Sequence, residues 1–140
     1  MKIELAVDKN GTPLSAIPAA ANVSEVDLAQ PVLENISIEL PDSVPVVADK
    51  GYDSDPLRER LAKEGFELIS PHRDNRVKPA TVDGRKLRRY RHRWLIERTN
   101  AWLQNFRRIV TRWEYHSFIY GGFVQLACAC IALGRLRNRF

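Results

Sequence analysis

Residues 44–69 read as strand, helix, strand, and no other stretch limits the fold as much. Val44, Val46, Val47 and Ala48 form an apolar, β-branched run without clean alternation, the pattern of a strand covered on both faces. Asp49 ends the run, and Gly51 lets the chain turn. Asp53-Ser54-Asp55-Pro56 is a helix start, capping residues followed by Pro in the first turn. Leu57, Leu61 and Phe66 supply the buried side, while Arg58, Glu59, Arg60, Lys63 and Glu64 face water. Gly65 is placed to cap the C-terminus, and residues 66–70, FELIS, form the second strand. Two strands separated by one helix favour a parallel pair with a right-handed crossover. Ligands of open α/β sheets gather at the C-terminal ends of such strands, so Asp49 is placed to bind a metal ion. An Asp there can equally do no more than cap a turn.

The flanking segments extend this α/β pattern. In residues 2–8, Ile3, Leu5 and Val7 point one way and Lys2, Glu4 and Asp8 the other, which is a half-buried strand. Asn10-Gly11 supplies the positive φ angles of a tight hairpin, and residues 12–19 return, with Pro18 marking an end or an edge. A sheet that opens so abruptly is expected to lack an earlier strand. Ser24 caps a helix with Glu25 and Asp27 in its first turn and an apolar stripe of Val26, Leu28, Val32, Leu33 and Ile36. Pro31 is predicted to kink or divide that helix. Residues 71–84 form a polar, basic loop, long enough to be functional or mobile. No Gly or Pro interrupts residues 85–106, which read as one helix with Leu95, Trp102 and Phe106 inward and Leu87 and Trp94 nearby.

A last helix is predicted from Ser117, its cap, to about residue 137. Residues 118–133 carry no charge, a run of sixteen that falls short of the roughly 20 needed to span a bilayer. Gln125 and Gly121-Gly122 also argue against a membrane segment, so a buried core helix is expected. The two cysteines, Cys128 and Cys130, match no zinc or redox spacing and read as buried, reduced thiols of a cytosolic protein. Met1 leads straight into KIELAV, which is not a signal peptide.

At 140 residues the chain suffices for one domain with a real core. Its charge is uneven. Residues 1–71 hold 6 Lys/Arg against 13 Asp/Glu, whereas residues 72–112 hold 13 against 3. A basic block beside an acidic one points to a polyanion partner, most simply nucleic acid, although a solvated basic helix has the same composition.

Within the basic block, Tyr90, Arg93 and Glu97 are spaced i, i+3, i+7 and share a helical face that Gln104 and Arg108 continue. Arg93 with Glu97 could be a plain i, i+4 ion pair worth about 0.3 kcal/mol. Yet Glu97 is the only acid between Gly84 and Trp113. Arginines around it keep it ionised and bring phosphates close. A metal-dependent phosphodiester enzyme needs those conditions, since Mg²⁺ takes carboxylate oxygens and a pair of such ions can serve the attacking and the leaving oxygen.

VVADKGYDS, followed about forty residues later by Tyr90-x2-Arg93-x3-Glu97, resembles the insertion-sequence transposases of the DDE class. The resemblance is narrowest to the group with a Tyr-Arg-Glu-Lys signature. KIELAVDKNGTPLSAIPAAANVSE is similar to that family's segment between the first and second catalytic acids, and RRIVTRWEYHSFIYGGFVQLACACIAL to its C-terminal end. Nearly the whole chain is covered.

The resemblance implies an RNase H-like α/β fold, a mixed sheet flanked by helices, here N-terminally truncated with the first strand missing. Residues 1–140 would be a single domain, the C-terminal portion of a transposase catalytic domain. Asp49 matches the second catalytic Asp and Glu97 the catalytic Glu, which together would hold Mg²⁺ or Mn²⁺. Tyr90 and Arg93 would handle DNA, with Arg89, Gln104, Arg107 and Arg108 completing the DNA-binding set. Gln104 stands where the signature Lys belongs and contributes no charge, for which Arg107 and Arg108 would compensate. Trp94 and Trp102 are assigned to the core. The first catalytic Asp has no counterpart, because Asp8 lies at the hairpin turn. The implied activity is metal-dependent cleavage and transfer of DNA strands, and the alternatives are a non-catalytic DNA-binding remnant or regulator and a fragment that does not fold stably. Implied partners are insertion-sequence ends and target DNA, no membrane, and either a homo-oligomer or an upstream-frame polypeptide. The implied location is the bacterial cytoplasm, on the nucleoid.

Overall fold

The structure is a computed structural model and describes residues 1–137. Strands β1 (Lys2–Val7) and β2 (Pro13–Ala19) form an antiparallel hairpin, paired from Lys2 with Ala19 to Ala6 with Ser15 and shifted between Ala6 and Val7. Helix α1 (Glu25–Glu34) follows. Strand β3 (Val44–Val47), a 3-10 turn (Lys50–Tyr52), helix α2 (Asp55–Lys63) and strand β4 (Phe66–Ile69) make up the strand-helix-strand unit. A 3-10 segment (Lys86–His92), helix α3 (Trp94–Leu103), the short α4 (Arg107–Val110) and the long α5 (Ser117–Arg137) complete the order.

β3 and β4 pair in parallel, Val44 with Phe66 through Val47 with Ile69, as the crossover predicts. Ser54 accepts the N–H of Leu57 at 3.4 Å, and Gly65 ends the helix at φ +84°. A Cβ at Gly65 would meet the Asp42 carbonyl oxygen at 2.6 Å, so the position needs glycine twice over.

The alternation of the hairpin separates two cores. Leu5, with Ile3 and Val7 beside it, packs on Ala16, Leu103, Ile109, Tyr120 and Val124. Ala6 and Ile17 turn to the other side, where Ala29, Val32 and Leu33 of α1 meet Leu57, Leu61, Phe66 and Leu68. The hairpin thus lies between α5 and α3 on one face and α1 on the other. The β3–β4 pair shares the α1 core, although the two sheets are not hydrogen-bonded to each other.

Several sequence expectations need correction. β3 is not covered on both faces, since Pro45 is exposed and Val44, Val46 and Val47 are half-buried; among the described residues its sole neighbour is β4. α1 runs unbroken through Pro31, and the Ser24 side chain makes no cap bond. Leu28 and Ala29 before Pro31, and Val32 and Leu33 after it, are all buried, so packing holds the helix against the loss of one backbone bond. At the hairpin only Gly11 has positive φ, +78°. Asp8 Oδ1 closes that loop by accepting the N–H groups of Asn10 at 2.8 Å and Thr12 at 2.7 Å.

Residues 85–106 do not form one helix. Residues 86–92 are a 3-10 segment with no buried residue, because Lys-Leu-Arg-Arg-Tyr-Arg-His has no apolar face to dock. The α-helix begins where burial begins, and its inner face is Leu95, Thr99 and Leu103; Trp102 is only half-buried, while Phe106, past the helix end, packs on the hairpin core. Trp94 is 50% exposed, not core. Nor is α5 buried all round. Tyr120, Val124, Ala127 and Cys128 are seated, while Leu126 and Leu133 are exposed. Among the described residues it is the one helix long and apolar enough to cross a membrane. Burial pushes the Cys128 thiol up to about 11, whereas Cys130 is exposed.

Candidate functional site

Asp49 leaves the C-terminal end of β3 in extended backbone, and its Oδ1 accepts the N–H of Gly51 at 2.7 Å. That bond caps the 3-10 turn and leaves Oδ2 for another partner. A Cβ at Gly51 would lie 2.8 Å from Asp49 Oδ1 and 3.0 Å from Glu25 Oε2, so a side chain there would displace the two carboxylates. Asp49 and Glu25 therefore converge on one point. Glu4, on β1, accepts the hydroxyl hydrogen of Tyr52. Burial raises the Glu4 pKa against the pull of that bond, and the Glu25 and Asp49 charges raise it further. Burial and then the Glu4 bond raise the Tyr52 pKa. Sequence reasoning missed Glu4 and Glu25, and nothing in the alternation of β1 marks Glu4 as more than a solvent-side residue.

The second limb is the set of Tyr90, Arg93 and Glu97. Although the helix starts only at Trp94, the three side chains join: Arg93 donates to Glu97 Oε1 at 2.6 Å and to the Tyr90 hydroxyl at 3.1 Å. The Glu97 bond, followed by Tyr90, raises the Arg93 pKa. All of this lies at the surface, with the Glu97 side chain 58% exposed.

Lys50 follows Asp49 and opens the 3-10 turn. Lys50 pairs with Asp74 at 2.8 Å and also feels the Tyr90 phenol. Asp49 and Glu97 themselves share no hydrogen-bond partner among the described residues, and no group of three metal-capable side chains is assembled there. The carboxylate oxygens have the right chemistry for a hard divalent cation, but two donors fall short of a closed coordination set.

The predicted DNA-binding residues divide. Arg89 is exposed on the 3-10 segment, Gln104 caps the C-terminus of α3, and Arg107 is exposed on α4. Arg108 is exposed as well, but it also pairs with Glu114 at 2.9 Å and lies 5.3 Å over the Phe123 ring.

The loop of residues 71–84 is neither free nor structureless. The Asp53 side chain, 3% exposed, accepts from Arg58 at 2.7 Å, from Arg76 at 3.3 Å and from the Arg73 N–H at 2.8 Å. His72 Nδ1 also contacts it at 2.9 Å, and His72 Nε2 accepts the Thr81 N–H at 3.1 Å. Burial alone would raise the Asp53 pKa, but the bonds from Arg73, His72 and Arg58 prevail and hold it well below the usual carboxylate range. Arg58 was expected on the wet face and is instead 13% exposed inside this cluster. The sequence signal was present in Asp53 and Asp55 one turn before Arg58, but Arg76 and His72 had no readable spacing.

An acidic strand end, exposed arginines and a pinned basic loop thus sit on a mixed α/β frame. Residues 1–131 match the family described as the transposase DDE domain, and the chain belongs to that family. A candidate transposase for insertion sequence element IS402 of Burkholderia cepacia is 37% identical across 98% of this chain. This chain spans 64% of that relative's length. A candidate transposase for insertion sequence element IS6501 of Brucella ovis is 32% identical across 94% of this chain and 97% of its own length. No solved structure is a significant match. The insertion-sequence resemblance is thereby sustained, and divalent-metal chemistry is general in the family.

Proposed function

We propose that the chain is the C-terminal portion of a DDE transposase catalytic domain that cuts and joins insertion-sequence DNA. The reading is supported by the linked Tyr90–Arg93–Glu97 set and by Asp49 at the C-terminal end of β3, in a chain that matches the family over nearly its whole length. An RNase H-like layout fits the unjoined sheets. Among the described residues β1 pairs only with β2 and β3 only with β4, and both sheets lie on the α1 core. A strand carrying a further Asp, from a longer chain or an upstream-frame polypeptide, would fit between β1 and β3 and supply the third carboxylate.

Asp49, through its unbonded Oδ2, and Glu97 would hold Mg²⁺ or Mn²⁺ together with that third ligand. When bound there, the ion would supply Lewis-acid chemistry to the phosphate and to the attacking hydroxyl. The chain's own residues do the rest. Arg93 orients Glu97, Tyr90 fixes Arg93, and Arg89, Gln104 and Arg107 meet the DNA backbone. The work would be done in the bacterial cytoplasm on nucleoid DNA, with self-association on paired ends.

A second reading, a non-catalytic DNA-binding remnant or regulator, is favoured by the want of a three-donor group among the described residues. One experiment separates the two. In the enzyme reading, Mn²⁺ raises the melting temperature, Asp49→Ala abolishes the rise, and DNA bearing the element's ends is nicked. A rise that persists in Asp49→Ala removes the metal site. DNA binding with neither rise nor nicking establishes the remnant.

A further inference from the structure

Helix α5 has two faces on opposite sides. Tyr120, Val124, Ala127 and Cys128 are buried against the hairpin core. Diametrically opposite stand Ile119, Gly122, Leu126, Ala129, Leu133 and Leu136, all exposed. The larger ones keep 40% (Ile119), 60% (Leu126), 65% (Leu133) and 51% (Leu136) of their surface in contact with solvent. Their spacing alternates three and four residues, the seam of a coiled coil. No charged residue occurs from Ser117 to Gly134, and Arg135 and Arg137 close the C-terminal end.

We propose that this seam pairs with the α5 seam of a second copy of the chain, antiparallel about a two-fold axis. The proposal rests on the self-association reading above and not on its DNA chemistry. In an antiparallel pair, Ile119 meets Leu136 of the second copy, Gly122 meets its Leu133, and Leu126 meets its Ala129. Each small residue thus receives a leucine, and the seam is complementary to itself. A parallel pair would set Gly122 on Gly122 and Ala129 on Ala129, leaving voids, and would bring the two Arg137 charges together. The antiparallel pair instead brings Arg137 to the Phe118 ring of the second copy, which is 75% exposed. Five large side chains, Phe118 with the four of the seam, at roughly 100 Å² each give about 500 Å² per copy. The pair then buries about 1,000 Å², the size at which specific interfaces begin.

Sedimentation equilibrium of the 140-residue chain tests this without DNA. The expected mass is twice the 16.1 kDa of one chain. Leu126→Glu, at an exposed position, gives monomers with unchanged helical circular dichroism, and Ala129→Arg does the same. The double variant restores the dimer, because antiparallel packing alone sets position 126 on position 129. Should Leu126→Glu unfold, Ala129→Arg reads the same seam. A wild-type chain monomeric at roughly 100 μM overturns the proposal. So does a dimer that survives Leu126→Glu, or a double variant that stays monomeric. A monomeric chain that floats with phosphatidylcholine–phosphatidylglycerol vesicles overturns it in favour of a lipid surface.

Discussion

Tyr52 donates its phenolic hydrogen to Glu4, and this bond ties the hairpin to the turn that follows β3. The two sheets share no backbone hydrogen bonds, so side chains and the α1 core hold them together. The bond places a carboxylate beside Glu25 and Asp49 in a partly buried setting, and the first prediction follows from its charge.

Burial raises the Glu4 pKa, with Glu25 and Asp49 adding to the rise. A raised folded-state pKa means that protonated Glu4 contributes stability below its unfolded value, about 4.3. That contribution is lost as pH rises through the folded value. At pH 7 the ionised group therefore opposes folding. Glu4→Gln keeps an oxygen to accept from Tyr52 and removes the charge. Its melting temperature should exceed that of the wild type by about 2–4 °C at pH 7, and the advantage should vanish toward pH 4. A lower melting temperature at pH 7 would show that the charge is compensated.

Asp53 works with the opposite sign. Burial pushes its pKa up, but bonds from Arg73, His72 and Arg58 hold it down, so its stabilisation is present above the unfolded value and lost as pH falls. Asp53→Asn leaves Asp55 as the one carboxylate paired with Arg58 and Arg76 among the described residues and should cost about 3 kcal/mol. It should also free residues 71–84, where Arg73 and Arg76 offer tryptic sites. Cleavage there should quicken about tenfold at neutral pH. An unchanged rate would mean that the loop is held by something other than Asp53.

These two residues show what the sequence could disclose. The strand-helix-strand unit was legible because every signal in it is local: Ser54 and Pro56 open the helix, Gly65 closes it, and apolar runs flank it. The pairing of Arg93 with Glu97 was legible for the same reason, being one helical turn long. What failed was long-range. Glu4 and Tyr52 are 48 residues apart, and Asp53 meets Arg76 across 23. No period predicts such meetings. The break before Trp94 was missed because freedom from Gly and Pro permits a helix without requiring one, and residues 86–92 have no core to bury against.

Gly11 provides a third test. It sits at φ +78°, and a Cβ there would approach the Arg98 guanidinium at 2.7 Å and the Thr99 hydroxyl at 3.1 Å. Both groups hold the hairpin turn, Arg98 donating to the Asn10 carbonyl at 2.6 Å and Thr99 to the Gly11 carbonyl at 2.7 Å. Arg98 is itself clamped between Trp94 and Trp102, 4.8 and 4.7 Å from the ring centres, so it has little room to withdraw. Gly11→Ala should lower stability by about 2 kcal/mol in a urea titration, since backbone strain and a steric conflict act together. A loss below about 0.5 kcal/mol would mean that the turn relaxes without strain.

The last prediction separates arginines that composition cannot tell apart. Arg89 is exposed on the 3-10 segment and is free to meet a phosphate. Arg108 is engaged with Glu114, whose side chain is only 5% exposed, and with the Phe123 ring. If the chain binds DNA through its basic rim, affinity falls steeply with salt and depends little on sequence. Arg89→Ala should then reduce the slope of log affinity against log salt by about 1 and leave the melting temperature unchanged. Arg108→Ala should hardly alter the slope but cost about 1 kcal/mol of stability, because it leaves the largely buried Glu114 carboxylate with only the Trp113 N–H among the described residues. Filter binding across a salt series, with thermal melts of the same preparations, reads both quantities. The opposite assignment, slope lost at Arg108 and stability lost at Arg89, would move the DNA path from the Tyr90 rim to α4. Equal slopes in both variants and the wild type would take the DNA away from both arginines.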